Sequence, residues 1–412
     1  MANVTVVGAG ARFASGLTQY TNRLADALAG SPGLRTSAVL MRQLLPTRLY
    51  PGRRRVGKPV TRVRYRPDVP VFDGVDWYWL PSMLRAARFL RRQRPRFVVL
   101  QWWTGTVLHS YVLLALIARR LGARVIVEFH EVLDPGEARL RFARVYVRRF
   151  MGLLLSRASG FVVHSQYDAD RLRNAYPIGG RPLVKVPHGP YDHLQQTSQA
   201  SSGPIAASPG VCNLLYFGVL RPYKGVEDLV RAFDALSPEE IEGYRLTIVG
   251  EPWEGYALPA EAVAASRYRD RITFVDRYVT DSEVAAYFAA ADALVLPYRR
   301  CSSSGPLHIA MSHGLPVAVP AVGGLVEAAT GYTGALLLPP GDVAALTDAL
   351  RRLPGLAGRH HQDVRSWDET VAAYLRLFSE IDGRAAAPSV ASPTDLTLAS
   401  GPAAAAARKG AP

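Results

Sequence analysis

Short apolar runs with little polar alternation recur along this chain, and the segments between them switch to helical spacing. Runs of that kind suit strands buried on both faces, and their alternation with helices predicts two open parallel sheets with helices on both sides. In the first half the pattern predicts strands near 4–7, 37–40, 97–100, 125–129 and 161–164, and helices near 16–29, 82–92, 107–121, 136–155 and 166–175. In the second half it predicts strands near 214–217, 246–249, 294–296, 317–319 and 335–338. Helices follow near 225–236, 281–290, 304–312, 342–352 and 367–381.

At 412 residues the chain is too long for one ordinary core, so two domains are expected. The boundary falls at 195–210, where Ser, Gly, Pro and Ala form a flexible crossing between units at 1–194 and 211–365. An amphipathic helix at 366–382 ends the second unit, and the Ala, Pro and Ser content of 383–412 reads as a disordered tail.

The formal net charge is +15 and the pI near 10.0, which raises nucleic acid or an anionic membrane as partners. The segment 42–67 holds nine basic residues and no acid, and Arg139, Arg141, Arg144, Arg148, Arg149 and Arg157 occupy a second acid-free segment. In the second segment they interleave with Phe142, Val145, Tyr146, Phe150, Met151 and Leu153–Leu155, an amphipathic pattern suited to anionic lipid or, equally, to a solvated helix face. No finger, basic zipper or ribonucleoprotein-type motif accompanies the charge, so nucleic acid is not expected. Two cysteines, Cys212 and Cys301, give no metal-ligand spacing and suit a reducing cytoplasm. The start, Val4-Thr5-Val6-Val7, has neither a basic leader nor a signal core, and the apolar run 107–118 is shorter than the roughly 20 residues of a spanning helix. A cytoplasmic protein, peripheral at the inner face of the cell membrane where the basic segments touch lipid, is the expected placement.

Candidate chemistry centres on 217–227, where an apolar strand delivers Arg221 and Lys224 to the start of a helix. Helix N-termini carry unpaired N–H groups and partial positive charge, so two added cations suit a phosphate or pyrophosphate. Ser302-Ser303-Ser304-Gly305-Pro306 opens a second helix, and Gly323-Gly324-Leu325-Val326-Glu327 follows another strand. Simple N-capping is the plain alternative for the serines. Gly8-Ala9-Gly10 invites a dinucleotide-binding reading. That fingerprint wants a small residue where Phe13 stands and an acid where Leu40, Met41 and Arg42 stand, so it is set aside.

Arg221-Pro222-Tyr223-Lys224-Gly225, Leu246-Thr247-Ile248-Val249-Gly250, Ala291-Asp292-Ala293-Leu294-Val295-Leu296-Pro297 and Gly314-Leu315-Pro316-Val317 with Gly323-Gly324 resemble, in order and spacing, the donor-binding half of glycosyltransferase family 4. Ser15-Gly16, Phe129-His130 and Val186-Pro187-His188-Gly189 extend the resemblance loosely into the first half. It implies a GT-B fold: α/β, two Rossmann-like domains facing across a cleft, acceptor side first, with the last helix returning to the first domain. It further implies a hexosyltransferase that moves a sugar from a nucleoside diphosphate donor to a hydroxyl acceptor, lipid-linked or free, with retention and with no cofactor or metal. The products would be a cell-surface glycan, a glycolipid or a natural-product glycoside. Arg221 and Lys224 then stabilise the leaving group, Ser303, Ser304 and Gly305 supply amides, and Gly8 to Gly16 forms a flexible loop at the cleft mouth. His130 contacts the acceptor or sugar with Glu131 or Asp134 as its acid, and His188 is structural.

The chain departs from the family where most members carry two glutamates, since those positions hold Cys301 and Ile309. Neither side chain accepts a hydrogen bond as a carboxylate does. Glu327 is the candidate substitute. A catalytically silent sugar-nucleotide-binding homologue, and behind it a basic polyanion-binding scaffold, are the competing expectations.

Overall fold

The computed structural model describes residues 2–12, 15–44, 63–76, 80–132, 141–191, 210–253 and 255–386. The proposed crossing, apart from Gly210, and the tail from 387 on lie outside them, as do most of the basic positions of 42–67, whereas 383–386, expected in the disordered tail, continue the last helix.

Two parallel sheets organise the chain. The first has seven strands: β1 (Ala2–Ala9), β2 (Leu34–Gln43), β3 (Val71–Asp76), β4 (Phe97–Trp102), β5 (Arg124–Phe129), β6 (Ala158–Val163) and β7 (Leu183–Lys185), in the order β3-β2-β1-β4-β5-β6-β7. The second has six: β8 (Cys212–Phe217), β9 (Tyr244–Val249), β10 (Ile272–Val275), β11 (Ala293–Val295), β12 (Val317–Pro320) and β13 (Ala335–Leu338), in the order β10-β9-β8-β11-β12-β13. The strand order reverses between β1 and β4 and between β8 and β11. In open parallel sheets the crevice beyond the carboxyl ends at such a reversal is where ligands bind. The residues after β8, including Arg221 and Lys224, leave the second sheet at that point.

Helices α2 (Leu80–Gln93), α3 (Leu108–Arg120), α4 (Arg141–Leu155) and α5 (Gln166–Ala175) bury Met83, Leu90, Leu108, Leu114, Met151 and Leu172 against one face of the first sheet. The other face is covered by α1 (Ser15–Gly30) and by the C-terminal helix (Trp367–Ala386), whose Tyr374, Leu377, Phe378 and Ile381 pack with Tyr20, Leu24 and Leu28. Phe97 stacks on Phe378 with ring centroids 4.2 Å apart.

Three strands have no counterpart in the sequence pattern. The pattern predicts nothing at β3, which carries Asp73, Gly74 and Asp76, residues that disfavour strands. It lies at the sheet edge, where only one side must be paired. β10 sits at the other sheet's edge, and β7, also an edge strand, has three residues, too few to show a period. The helix expected at 136–155 begins among the described residues at Arg141.

Gly8 and Gly10 also differ from expectation. Gly8 lies inside β1, and a Cβ there would stand 2.2 Å from Gln101 Oε1, so its bareness makes room for a core side chain. The amide of Gly10 donates to Met41 O at 3.0 Å, and a Cβ on it would stand 2.6 Å from that oxygen. Both glycines are held by close packing rather than by a need for a flexible loop.

Gly225 is the glycine on which the site depends. It adopts φ 61° at the start of α6 (Val226–Asp234), and a Cβ there would stand 2.3 Å from Pro297 O. Backbone sterics penalise the left-handed region for any other residue, and the contact adds to the penalty. Gly225→Ala is expected to lower stability by at least about 2 kcal/mol in urea unfolding. An unchanged midpoint would show that the turn relaxes without cost.

Candidate functional site

The turn after β8 is fixed before any ligand arrives. Leu220 N donates to Glu251 O and Trp253 N to Leu220 O, both at 3.0 Å, which sets the Trp253 ring against Arg221 with 4.3 Å from guanidinium carbon to ring centroid. Arg221 Nε is buried without a hydrogen-bond partner. Lys224 Nζ lies 3.5 Å from the centroid of Tyr298. Aromatic faces hold cations without neutralising them.

The acids that could neutralise the pair are diverted. Glu227 and Asp228, in the first turn of α6, both bind Arg299: its Nη2 lies 2.9 Å from Glu227 Oε1 and 2.7 Å from Asp228 Oδ2. Arg299 also donates through Nη1 to Pro222 O at 3.2 Å and through its amide to Tyr223 O at 2.9 Å, tying down the segment between the two cations. Among the described residues neither Arg221 nor Lys224 forms an ion pair.

Beside them begins α9 (Gly305–Ser312). The Ser304 hydroxyl caps the Leu307 amide at 3.4 Å and Pro306 has no N–H, so the amides on offer to a ligand are those of Ser303, Ser304 and Gly305. A Cβ on Gly305 or on Gly16, at the start of α1, would meet the same Tyr191 hydroxyl, at 3.8 and 3.5 Å. The N-termini of α1 and α9 therefore converge across the cleft, with Tyr191 Oη donating to Gly16 O at 3.1 Å. Cys301, at one of the missing glutamate positions, donates its thiol to Ser303 O, and burial pushes that thiol up to about 11. Ile309, at the other, is buried in the core of the second domain.

Gly323 and Gly324 open α10 (Gly324–Ala329) and pack on this loop: a Cβ on either would stand about 2 Å from the carbonyl of Cys301 or Ser302. Glu327 on α10 faces the other domain. Its Oε1 accepts from the Gln166 and Tyr167 amides at 2.6 and 3.2 Å, where α5 starts, and its Oε2 from Lys185 Nζ at 2.9 Å. The structure thus spends Glu327 on domain contact and helix capping. Two further bonds cross the cleft, from Ser302 Oγ to Glu131 Oε1 at 2.9 Å and from Gln19 Nε2 to Asp281 Oδ2 at 3.1 Å.

His130 ends β5. The acid beside it is Glu128, 3.8 Å from its Nε2, whereas Glu131 is turned to Ser302 and Asp134 lies outside the described residues. Strand alternation explains this, because residues two apart share a face. Glu128 is fully buried, accepting from Tyr20 Oη at 2.6 Å and from its cross-strand partner Gln101 at 3.0 Å. His164 donates through Nδ1 to Val186 O at 3.1 Å, which turns its Nε2 toward Glu128 Oε1 at 3.5 Å. Glu128, His130 and His164 place ligand-type atoms within 4.8 Å of one another, so these three would hold a metal if one bound. Both oxygens of that carboxylate are already hydrogen-bonded within the core.

From His130 a row of imidazoles runs into the second domain. His130 and His164 are 4.8 Å apart, His164 and His188 5.5 Å, and His188 stacks on His308 of α9 at 4.4 Å. A cavity of about 230 Å³ lies alongside, bounded by His164, His188, Ser302, Ser303, His308 and Arg365. His308 Nδ1 accepts from Arg365, which is itself paired with Asp363. No sequence signal announces this row, since its members come from four separate segments. Trp253, Tyr298 and Arg299 carry no sequence signal for the same reason: each acts on a turn distant in sequence.

Burial above all, with neighbouring positive charge second, drives His130, His188 and His308 well below the ordinary imidazole range. They are neutral when folded at pH values where an unfolded chain, with histidines near 6.5, takes up protons. Below that value the unfolded state binds more protons, so stability is present above about pH 6.5 and falls as pH falls, by up to about 1.4 kcal/mol per unit for each imidazole. Thermal midpoints should drop between pH 7 and pH 5, with a shallower slope for His308→Asn. A midpoint independent of pH would show that the row charges in place.

Comparison with known proteins gives matches in both halves. Residues 15–189 match the family described as glycosyl transferase 4-like domain, and residues 212–354 the family described as glycosyl transferases group 1. A 2-deoxystreptamine N-acetyl-D-glucosaminyltransferase of Streptomyces fradiae is 29% identical over 351 residues, 78% of this chain and 80% of that protein. The sucrose-phosphate synthase of Thermosynechococcus elongatus shares the fold with a TM-score of 0.59 at 18% identity, over 93% of this chain and 97% of that one. Anabaena HepE, in a complex with UDP-glucose, does so with a TM-score of 0.56 at 14% identity, over 93% and 99%.

Proposed function

We propose that this chain, which is a GT4-like hexosyltransferase with the GT-B fold, moves a hexose from a nucleoside diphosphate sugar to a hydroxyl acceptor with retention of anomeric configuration. The observation that carries the reading is the pair of unneutralised cations, Arg221 and Lys224, seated on aromatic faces beside the convergent starts of α1 and α9.

Breaking the bond from the anomeric carbon to the diphosphate oxygen develops negative charge on the leaving group. Cations already in place stabilise that charge more than they stabilise the ground state. The planar Arg221 guanidinium chelates two phosphate oxygens while Lys224 acts as a point charge, and the amides of Ser303, Ser304 and Gly305 add the helix-terminus contribution. Retention requires the acceptor oxygen to arrive on the face that the diphosphate leaves. A neutral His130 on the opposing sheet edge is suited to accept a hydrogen bond from that hydroxyl. UDP-glucose in the HepE complex supports a uridine diphosphate donor, and the name of the Streptomyces relative supports an acceptor of the 2-deoxystreptamine kind. No cofactor or metal enters this reading. The same reading places the protein in the cytoplasm, at the inner face of the membrane. Arg221→Ala and Lys224→Ala should each lower turnover by at least about a hundredfold, near 3 kcal/mol, in a donor-consumption assay. Near-normal rates in a folded double variant would remove the leaving-group assignment.

Cys301 and Ile309 support a second reading, a sugar-nucleotide binder without turnover. Donor hydrolysis without acceptor separates the two, because only the enzyme releases nucleoside diphosphate. The gap at Ile309 makes its own prediction. A site built to hydrogen-bond a hydroxyl rejects analogues lacking it, and an apolar wall does not. The protein should therefore accept a 2′-deoxyribose donor nearly as well as the ribose form, and Ile309→Glu should restore preference for ribose. Strong rejection of the deoxy donor by the unaltered protein would mean that another group, such as Glu327 after release from α5, holds the ribose.

A further inference from the structure

The outer face of the first domain carries a charge pattern that the transfer reaction does not use. Between Asp76 and Glu128 the chain has nine arginines and no acid, and between Glu137 and Asp168 six more and no acid. These two stretches supply α2, α3 and α4, which lie side by side on one face of the sheet. The helices bury Met83, Leu90, Leu108, Leu114, Met151 and Leu154 and leave Arg85, Arg88, Arg91, Arg92, Arg148 and Arg149 exposed. The first of these helices lies outside the basic segments 42–67 and 139–157.

Large apolar side chains stand exposed on the same surface. Leu80 and Leu84 on α2 are 68% and 51% exposed, and Val145, Phe150 and Leu153 on α4 are 65%, 41% and 44% exposed. Between them α3 presents half-buried Val112, Leu113, Leu116 and Ile117. Five of the ten large apolar side chains exposed among the described residues fall on these two helices. A merely solvated basic face needs no exposed Phe and Leu, and a nucleic-acid surface is not improved by them.

We propose that the α2–α3–α4 face docks on an anionic lipid bilayer, with the apolar side chains entering the headgroup boundary and the arginines meeting lipid phosphates. Basic residues near such a surface add up individually modest attractions, and apolar insertion supplies the part that salt does not screen. Arginine stems lie along apolar surface while their heads reach the phosphates, so one face serves both interactions. In open parallel sheets the ligand crevice lies beyond the carboxyl ends of the strands at the order reversal rather than on a helix-covered face, so docking through these helices does not cover it.

The test is co-sedimentation of the full chain with vesicles of phosphatidylglycerol and phosphatidylcholine, against vesicles of phosphatidylcholine alone. Binding should be at least about tenfold tighter on the anionic vesicles and should weaken as NaCl rises from about 0.05 to about 0.5 M. Arg88→Glu with Arg148→Glu and Arg149→Glu should reduce it at least about tenfold. The same charge change placed on the second domain, Arg269→Glu with Arg352→Glu and Arg359→Glu, should change it less than about twofold. Phe150→Ser with Leu153→Ser should weaken vesicle binding and leave retention on heparin unchanged. Equal binding to neutral vesicles, equal loss from both triple variants, or parallel loss of vesicle and heparin binding in the serine variant would each overturn the proposal, the last pointing to a soluble polyanion. Circular dichroism confirms that the variants fold. This proposal deepens the membrane placement given above; none of its readouts involves turnover, so failure here removes that placement and leaves the transfer chemistry standing, and loss of turnover in Arg221→Ala leaves the docking face untouched.

Discussion

Arg299 decides whether this protein has a usable anion site. Glu227 and Asp228, placed by the start of α6 a few residues from Arg221 and Lys224, are both bound by it, while Tyr256 and Arg231 take their other oxygens. By binding the two acids and the Pro222 carbonyl, it removes the competition and stiffens the turn. The cations then rest on Trp253 and Tyr298, which attract positive charge without cancelling it. Preorganisation of this kind matters because charges that need no rearrangement at the moment of bond breaking stabilise the transition state most.

A second constraint joins the two domains. Buried Glu128 is tolerable only because Tyr20 and Gln101 satisfy it, and those bonds couple α1, β4 and β5. The same Tyr20 ring touches His130, His164, His188 and Trp367, so the first core continues into the imidazole row and from there through His308 into α9. Glu327, Ser302 and Gln19 add direct bonds across the gap. Donor loop and acceptor-side edge are therefore held in one arrangement by neutral stacking and hydrogen bonds. This arrangement leaves neither Glu327 oxygen without a partner, which is why a carboxylate that sequence offers as a stand-in for the lost glutamates serves as a domain contact instead.

Much was legible in the chain itself. Buried parallel strands must be apolar nearly throughout, so their positions, the two-sheet architecture and the cation pair after β8 follow from local pattern and the placement of glycine and proline. The edge strands β3, β7 and β10 were not legible, because a strand paired on one side only needs neither length nor uniform apolarity. What tertiary structure alone decided is partnership: that Arg299 and not Arg221 takes Glu227, that Glu128 and not Glu131 stands beside His130, that Glu327 reaches α5, and that three arginine-bearing helices share one face. Each depends on side chains distant in sequence meeting in space, and hydrophobic period carries no information about which polar groups will meet.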